Sequence, residues 1–534
     1  MVFIESDVLV LGTGGAGLRA AIEAKARGTS VAVVSKATSG MNNATVVAGG
    51  GFRAAVGGLT VDEHFDDTIL SGKEIDDRRL VEVLAQEGGK RVLELRKFGV
   101  DIHMRSGART RSPIGVRGGG LGLTRPLVDY ARSKGIRFFE NVIVTRLIAD
   151  SDAVVGAIGF DVHNDRPIVF SSKSVILATG GAGALYSRTS NPLRTTGDGY
   201  SLAYEVGARL RDMEFVQFFP LALAEPGVPS HNIRGFMSEN GRIINSLGEN
   251  IPQKHGVTAR PFVLKSRDLL SRAIMIEVLE GRGVDGAVLL DATEVFKQRG
   301  EEEFSSIDHY TLLRDRLKAA KRPFRVAPVS HFCMGGVIID EHCNTDVPGL
   351  FAAGEVVGGI HGANRHGGNA LTDITVFGAR AGSAAAEYAK TRSLVSVESA
   401  AEAELCRYED LRRSDVDHEV APRNVLSRLR ETMWIRAGVV REEAKLEEAI
   451  SEISELTERV SRLRASTGRM MLEALEVSLA LEVAEMICRS ALERTESRGA
   501  HYRTDYPNED KGWLKTIILS QNANGKMRLS SEPT

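Results

Sequence analysis

The sequence predicts an α/β protein built on a Rossmann-like nucleotide-binding unit and finished by a helical region. Three observations carry this prediction: a strand–glycine turn–helix–strand signature at the N-terminus, further glycine bunches after apolar runs, and glycine-poor, Glu-, Arg-, Leu- and Ala-rich composition beyond residue 400. A chain of 534 residues favours several domains rather than one core. Hydrophobic residues at 43% and charged ones at 26% describe a folded globular chain. The 55 glycines, about one residue in ten against a usual roughly 7%, are bunched rather than scattered.

Residues 7–11 form a short apolar run of strand length, followed by Gly12-Thr-Gly-Gly-Ala-Gly17, an Ala-rich helical stretch over 18–27 and a second apolar run at 31–34. In this βαβ frame Gly12 allows the tight turn, Gly14 lets backbone approach a pyrophosphate, and Gly17 lets helix pack close to strand. Gly15 and Ala16 belong to the turn that leads into the helix, whose unpaired N–H groups face the phosphates. A glycine-rich loop without a ligand is the bland alternative; the strand and helix on either side favour the dinucleotide. The second strand ends in Ser35-Lys36 without the acid that holds a ribose, so a plain NAD site fits less well than a variant of the fold.

Three later stretches repeat the pattern: Val175-Ile-Leu-Ala-Thr-Gly-Gly-Ala-Gly183, with Ala178, Thr179 and Gly180; Thr195-Thr-Gly-Asp-Gly199, where Asp198 could accept from a ribityl or ribose hydroxyl; and Leu350-Phe-Ala-Ala-Gly-Glu355. Each alone could be ordinary loop chemistry. Together they suit a long ligand such as FAD threaded across several strand ends. Lys+Arg at 68 against Asp+Glu at 70 gives no electrostatic reason to expect nucleic acid or an anionic membrane. No apolar run reaches membrane-spanning length and no charged leader precedes the first strand, so a cytoplasmic location is expected. The four cysteines lack C-x-x-C spacing, which argues against a disulfide framework, a metal site or an iron–sulfur cluster held by this chain.

The chain resembles the flavoprotein subunits of succinate dehydrogenase and fumarate reductase, with L-aspartate oxidase a close relative, from residue 5 to about residue 515. Beside the glycine clusters, the resemblance rests on Thr45-Val-Val-Ala-Gly-Gly-Gly51, Glu214-Phe-Val-Gln-Phe218, Ser266-Arg-Asp268, His331-Phe-Cys-Met-Gly-Gly336 and His361-Gly-Ala-Asn-Arg365. It implies an FAD domain in two pieces, 1–225 and 331–390, with a capping domain at 226–330 inserted between them. Pro226, Gly227, Pro229 and Pro323 punctuate those boundaries. A helical bundle over 400–495 follows, where Leu446, Ile450, Ile453, Leu456, Val460 and Leu463 form one apolar stripe. The stripe suits packing within the bundle better than a coiled-coil partner, because it lasts under three heptads. Residues 496–534 are polar and are expected to wrap the surface as an irregular tail. To the cofactor contacts the resemblance adds Thr45, Gly50, Gly51, Ala370 and Leu371.

Exchanging hydride with a short unsaturated diacid requires a site that binds two carboxylates and moves a proton on the opposite face. Arg365 matches the family's carboxylate-binding arginine, whose planar fork grips two oxygens as lysine cannot. His331 matches the histidine on the other carboxylate. Arg267 matches the arginine treated as proton donor, a role at odds with a free guanidinium pKa above roughly 12. The bland reading of Arg267-Asp268 is a helix start, with the acid at the positive end; the two roles divide between the residues.

Three departures matter. Covalent-flavin members carry a histidine where this chain has Ala44, so FAD is expected to be noncovalent, which mildly favours fumarate reduction. The family's Gln-Phe-His-Pro reads Gln217-Phe-Phe-Pro220 here, so Phe219 replaces a substrate-binding histidine, with His366 or His231 as candidate substitutes. The family's Thr-Glu-x-x-Arg relay aligns either on Ser230, His231 and Arg234 or on Ser238, Glu239 and Arg242, the second preferred because it keeps the hydroxyl–acid pair. The expected function is therefore that of a fumarate/succinate flavoprotein subunit, with hydride exchanged at flavin N5 and the proton at Arg267. An iron–sulfur subunit is the expected electron partner and could hold the chain at a membrane's inner face. Aspartate oxidase or another FAD-dependent dicarboxylate oxidoreductase is the alternative, and a non-catalytic flavin electron-transfer subunit is the reading from another class.

Overall fold

A computed structural model describes residues 2–104, 114–233, 235–304, 311–412, 420–522 and 524–534. The first apolar run becomes the strand Val2–Leu11, which lies between Val31–Ser35 and Arg166–Leu177 and pairs in parallel with both. Val8, Leu9, Val10 and Leu11 are all buried. A parallel strand covered on both faces has no reason to alternate, which is why the run is continuously apolar. The sheet adds Arg137–Glu140 beyond Val31–Ser35, the short parallel strand Leu350–Ala352 on Arg166–Leu177, and an antiparallel edge of Ala153–Asp161 and Val142–Asp150. The helices Gly15–Ala26 and Asn369–Lys390 pack against each other so closely that a Cβ at Gly382 would lie 2.2 Å from the Ala20 carbonyl oxygen. The glycines and alanines of these helices thus serve backbone approach.

A second, antiparallel sheet orders its strands Val216–Leu223, Phe324–Cys333, Val288–Asp291 and Arg242–Ile244, with the helix Arg267–Leu279 against it. Leu221, Leu270, Ile274, Val288, Leu290 and Val326 belong to a core of its own. Its two long strands break register between Gln217 and Phe218 and again between Phe219 and Ala222. Pro220 falls in the second break and has no N–H to give the ladder.

Beyond residue 400 the helices Glu398–Arg412, Pro422–Arg436, Glu443–Glu458 and Gly468–Glu493 succeed one another, and the last three pack together. The apolar stripe begins as expected, with Leu446, Ile453 and Leu456 buried, but the α-helix stops at Glu458. Val460–Arg462 is a 3-10 turn, and Leu463 reaches the core from beyond it. Among the described residues no helix is long and apolar enough to cross a membrane.

The expectation of an irregular surface tail over 496–534 is overturned. Lys515–Gln521 and Met527–Pro533 form an antiparallel pair, and Lys515–Gln521 joins Leu210–Arg211 of the main body. Ahead of them Arg494, Glu496, Arg498, His501 and Arg503 are all buried. Arg494 donates from Nε to Glu214 at 2.6 Å, and Glu496 accepts from both Arg494 and Arg498. The segment reads as polar because its charges neutralise one another inside the protein rather than facing water.

Candidate active site

The glycine turn is built as its spacing requires. Gly12 has φ of +118°, and a Cβ there would lie 2.1 Å from the Ala178 carbonyl oxygen. A Cβ at Gly17 would lie 2.1 Å from the Gly12 carbonyl oxygen, so strand end, turn and helix are in backbone contact. At Gly14 a Cβ would meet only the Thr45 hydroxyl, at a van der Waals distance of 3.5 Å. The Gly15 N–H, at the helix start, donates to Thr45 Oγ1 at 3.1 Å. Replacing Gly17 with alanine is expected to cost about 1–3 kcal/mol of stability through overpacking and to release the cofactor, read as a lower urea midpoint and loss of bound yellow colour.

The other residues expected to hold the nucleotide are each tied to specific neighbours. Ser35 Oγ accepts from Thr13, and Lys36 reaches Asp198 at 2.7 Å, Glu476 at 3.0 Å and Thr196 at 3.0 Å. Burial lowers the Lys36 pKa, but the two carboxylates outweigh it and the net shift is upward. Asp198, expected to meet a ribityl or ribose hydroxyl, spends its carboxylate on Lys36 and on the Thr196 hydroxyl. A Cβ at Gly199 would lie 2.0 Å from Thr179 Oγ1, a buried hydroxyl with no hydrogen-bond partner, while beside Gly180 there is open space. Glu355 packs where a Cβ on Gly181 would stand, accepts from the Cys333 N–H at 3.0 Å, and is lifted by burial to about 7. Gly50, with φ of +75°, precedes the short strand Gly51–Phe52; Ala370 and Leu371 lie in the first turn of Asn369–Lys390. A cavity of about 330 Å³ opens beside Lys36, lined also by Thr38, Asn141, Val162, Arg194 and Leu472. The open space beside Gly180, the orphaned Thr179 hydroxyl and a cavity in the size range of small-ligand sites are features that an extended dinucleotide such as FAD would use.

The three residues matched to substrate chemistry meet around Gln217 and Phe219 of the strand Val216–Leu223. Arg267 opens the helix Arg267–Leu279 and is buried; its Nε and Nη2 donate to the Val263 carbonyl at 3.1 and 2.9 Å, and Nη1 donates to Gln217 Oε1 at 2.5 Å. Arg365, also buried, donates from Nη2 to the same Gln217 oxygen at 3.1 Å and from Nη1 to the His366 carbonyl at 3.3 Å. Gln217 donates its own amide protons to Asn364 Oδ1 and the Arg365 carbonyl, at 2.7 and 2.9 Å, which fixes the orientation of its amide. His331 lies two residues before the end of the strand Phe324–Cys333, with Nδ1 2.8 Å from Ser190 Oγ. The Phe219 ring lies between the partners, 5.4 Å from the Arg267 guanidinium and 5.5 Å from the His331 ring.

Two guanidiniums therefore share one neutral oxygen, and among the described residues neither has a carboxylate within 4.0 Å. The electrostatic consequences agree. Burial and then the charge of Arg365 lower Arg267 to about 9, and burial lowers Arg365 to about 10. Burial, Arg267 and Arg365 hold His331 well below its ordinary value, hence neutral. Asp268 sits in the first turn of the helix, at its positive end, and lines a small cavity with Ser271, Arg272 and Tyr502.

Of the remaining candidates, His366 touches this cluster through its backbone carbonyl. His366 is buried beside Arg365, with Nδ1 2.9 Å from the Gly367 carbonyl oxygen. Ser238 is fully buried, and Glu239 accepts from the Phe262 N–H at 2.5 Å while burial raises its pKa. Arg242 is exposed on its strand, and Asn245 donates to Glu249 and Glu277 within the second sheet's layer. Half-buried His231 gives its backbone carbonyl to the Leu223 N–H; Arg234 lies outside the described residues. Sequence reasoning assigned no role to Gln217, Asn364 or Ser190. The signal for Gln217 was its place two residues before Phe219 on a strand, where alternate residues share a face.

Comparison with known proteins identifies both halves. Residues 7–371 match the FAD binding domain family, and 426–534 match the fumarate reductase flavoprotein C-terminal family. The chain is 38% identical to a subunit of the fumarate reductase (CoM/CoB) of Methanothermobacter marburgensis, over 97% of each chain. It is 32% identical to the 8-methylmenaquinol:fumarate reductase flavoprotein subunit of Wolinella succinogenes, over 98% of this chain and 90% of that one. Among solved structures, the quinol fumarate reductase of E. coli superposes with a TM-score of 0.90 at 28% identity, over 100% of this chain and 97% of the other.

Proposed function

The chain belongs to the family of fumarate reductase and succinate dehydrogenase flavoprotein subunits, FAD-dependent oxidoreductases, and on that premise we propose that it interconverts fumarate and succinate with Arg267 as the proton donor and acceptor. The observation that carries the reading is the buried pair Arg267 and Arg365 on one Gln217 oxygen, with neutral His331 beside them and no carboxylate at either guanidinium among the described residues. Buried cations with no carboxylate in direct contact are costly, and a short dicarboxylate brings two negative charges to them. Arg365 grips one carboxylate through its planar fork, and His331 donates to the other. Arg267, lowered to about 9, holds a proton that it can surrender far more readily than a guanidinium in water. FAD, when bound, supplies the hydride exchange with the alkene carbon.

In this reading FAD is held without a covalent bond, since Ala44 precedes Thr45 and offers no nucleophile. Ser238 and Glu239 belong to the route that resupplies the proton, and His366 to the substrate wall. The chain divides into an FAD domain of 1–225 and 331–390, a cap of 226–330 and a C-terminal helical region. An iron–sulfur partner subunit is proposed as the electron source, because among the described residues no group of three His, Cys, Asp or Glu is placed to hold a metal. The two relatives above are named for different donors, CoM/CoB and 8-methylmenaquinol, so neither donor is carried over. In this reading the chain works in the cytoplasm, and any attachment to the membrane's inner face is through partner subunits.

Phe219 favours a second reading, in which the diacid differs, as in an aspartate oxidase. Binding separates the two. Titrated against the FAD-loaded protein and followed by thermal shift, succinate is expected to bind and butyrate, with one carboxylate, to fail. Aspartate binding more tightly than succinate would transfer the function to the second reading. Equal binding of butyrate and succinate would remove the dicarboxylate site altogether. If His366→Leu leaves KM for fumarate unchanged, His366 is not part of the substrate wall.

A further inference from the structure

We propose that Ser190 is a positioning residue for His331: its hydroxyl donates to Nδ1 and so keeps the single proton of the imidazole on Nε2, where a substrate carboxylate can accept it. The proposal rests on the dicarboxylate reading above.

The segment 189–191 braces the end of the strand that carries His331. The Ser190 N–H donates to the Ser330 carbonyl at 2.9 Å, the Thr189 hydroxyl donates to the same oxygen at 3.3 Å, and Asn191 Nδ2 donates to the His331 carbonyl at 3.2 Å. A Cβ at Gly183 would stand 2.3 Å from Asn191 Nδ2, so the brace itself is packed from behind. Ser190 Oγ is thereby fixed 2.8 Å from His331 Nδ1.

That hydroxyl has one proton and two acceptors in reach, His331 Nδ1 and, at 3.2 Å, the Ser330 carbonyl. Either it donates to Nδ1, or it donates to Ser330 and receives the Nδ1 proton. The Ser330 oxygen already accepts from the Ser190 N–H and the Thr189 hydroxyl, so it needs the hydroxyl least. A neutral imidazole has one N–H, and the group bonded to one nitrogen decides what the other presents. In the second arrangement Nε2 would show a lone pair to a carboxylate, and the two would repel. In the first, Nε2–H becomes a donor on the edge of the ring away from Ser190. No described residue hydrogen-bonds to Nε2, which leaves it for the substrate.

The test uses the full-length, FAD-loaded chain labelled with 15N-histidine, with succinate as the probe. The His331 signals are identified by their loss in His331→Gln. In the succinate complex Nε2 is expected to be protonated and Nδ1 to show the shift of a hydrogen-bonded, unprotonated nitrogen. Ser190→Ala is expected to lose that preference and to raise KM for fumarate about 10-fold or more with kcat nearly held, the pattern of an interaction present in both ground and transition states. Ser190→Thr, which keeps the hydroxyl, should recover both. A proton on Nδ1 in the wild-type complex overturns the proposal, as does an unchanged KM in Ser190→Ala beside a wild type that reduces fumarate. A wild type that neither binds succinate nor reduces fumarate takes down the dicarboxylate reading itself, and this assignment with it.

Discussion

Arg267→Ala is expected to lower kcat for fumarate reduction by about 10²–10⁴-fold, the range a positioned general acid contributes, with a smaller change in KM. The fold should survive. Arg267 is a buried cation with no carboxylate within 4.0 Å among the described residues, so its removal relieves a desolvation cost rather than breaking a pair. The lost bonds to the Val263 carbonyl and Gln217 offset that gain, so a folded variant with a thermal midpoint near wild type accompanies the lost turnover. Lysine is not expected to rescue, because it cannot keep both bonds to the Val263 carbonyl and the bond to Gln217. The pH dependence has a definite sign. A proton donor must start protonated, so kcat/KM for fumarate reduction, which reports the free enzyme, should fall as pH rises through about 9. Succinate oxidation needs Arg267 without its proton and should rise over the same interval. An identical pH profile in both directions would exclude Arg267 as the group that moves the proton.

Arg365→Ala is expected to act chiefly on binding. A guanidinium that holds a carboxylate by charge-assisted bonds in a buried site contributes about 2–5 kcal/mol, so KM for fumarate should rise by roughly 30- to 5000-fold. The same substitution has a second consequence at a distance. After burial, the charge of Arg365 is the force that lowers the pKa of Arg267. Removing it should move the alkaline limb of fumarate reduction upward from about 9, measurable in kcat/KM profiles of the variant at substrate concentrations well below its KM. A limb that stays in place while KM rises would mean that Arg365 binds substrate without setting the acidity of its neighbour.

Much of this was legible in the sequence, and for identifiable reasons. The Gly12 to Gly17 turn is a local device whose spacing encodes its geometry, and its clashes in three dimensions are those the motif requires. Arg267, Arg365 and His331 are separated by 34 to 98 positions in the chain, and nothing in composition or periodicity brings them together; only the resemblance did. Gln217 went unassigned because an amide carries no charge and no catalytic reputation, yet its oxygen is the point both arginines share. Asp198 shows the opposite error. An acid between two glycines invites a ligand hydroxyl, but Lys36, 162 positions earlier, takes the carboxylate first. Residues 496–534 misled for a physical reason: polar sequence reads as surface unless charges are known to meet, and Glu496 meets Arg494 and Arg498 in the interior. The stripe from Leu446 to Leu463 kept its apolar rhythm across a helix end at Glu458, since burial, not helix, is what the rhythm records.

The measurement that bears most directly on the whole account is anaerobic reduction of fumarate by the purified FAD-loaded chain, with reduced benzyl viologen as donor. Viologen replaces the partner subunit, so the result belongs to this chain alone. The expected result is oxidation of two viologens for each succinate formed, with turnover lost in Arg267→Ala under identical FAD loading. A fully FAD-loaded wild type that forms no succinate, or an Arg267→Ala variant as active as wild type, would contradict it.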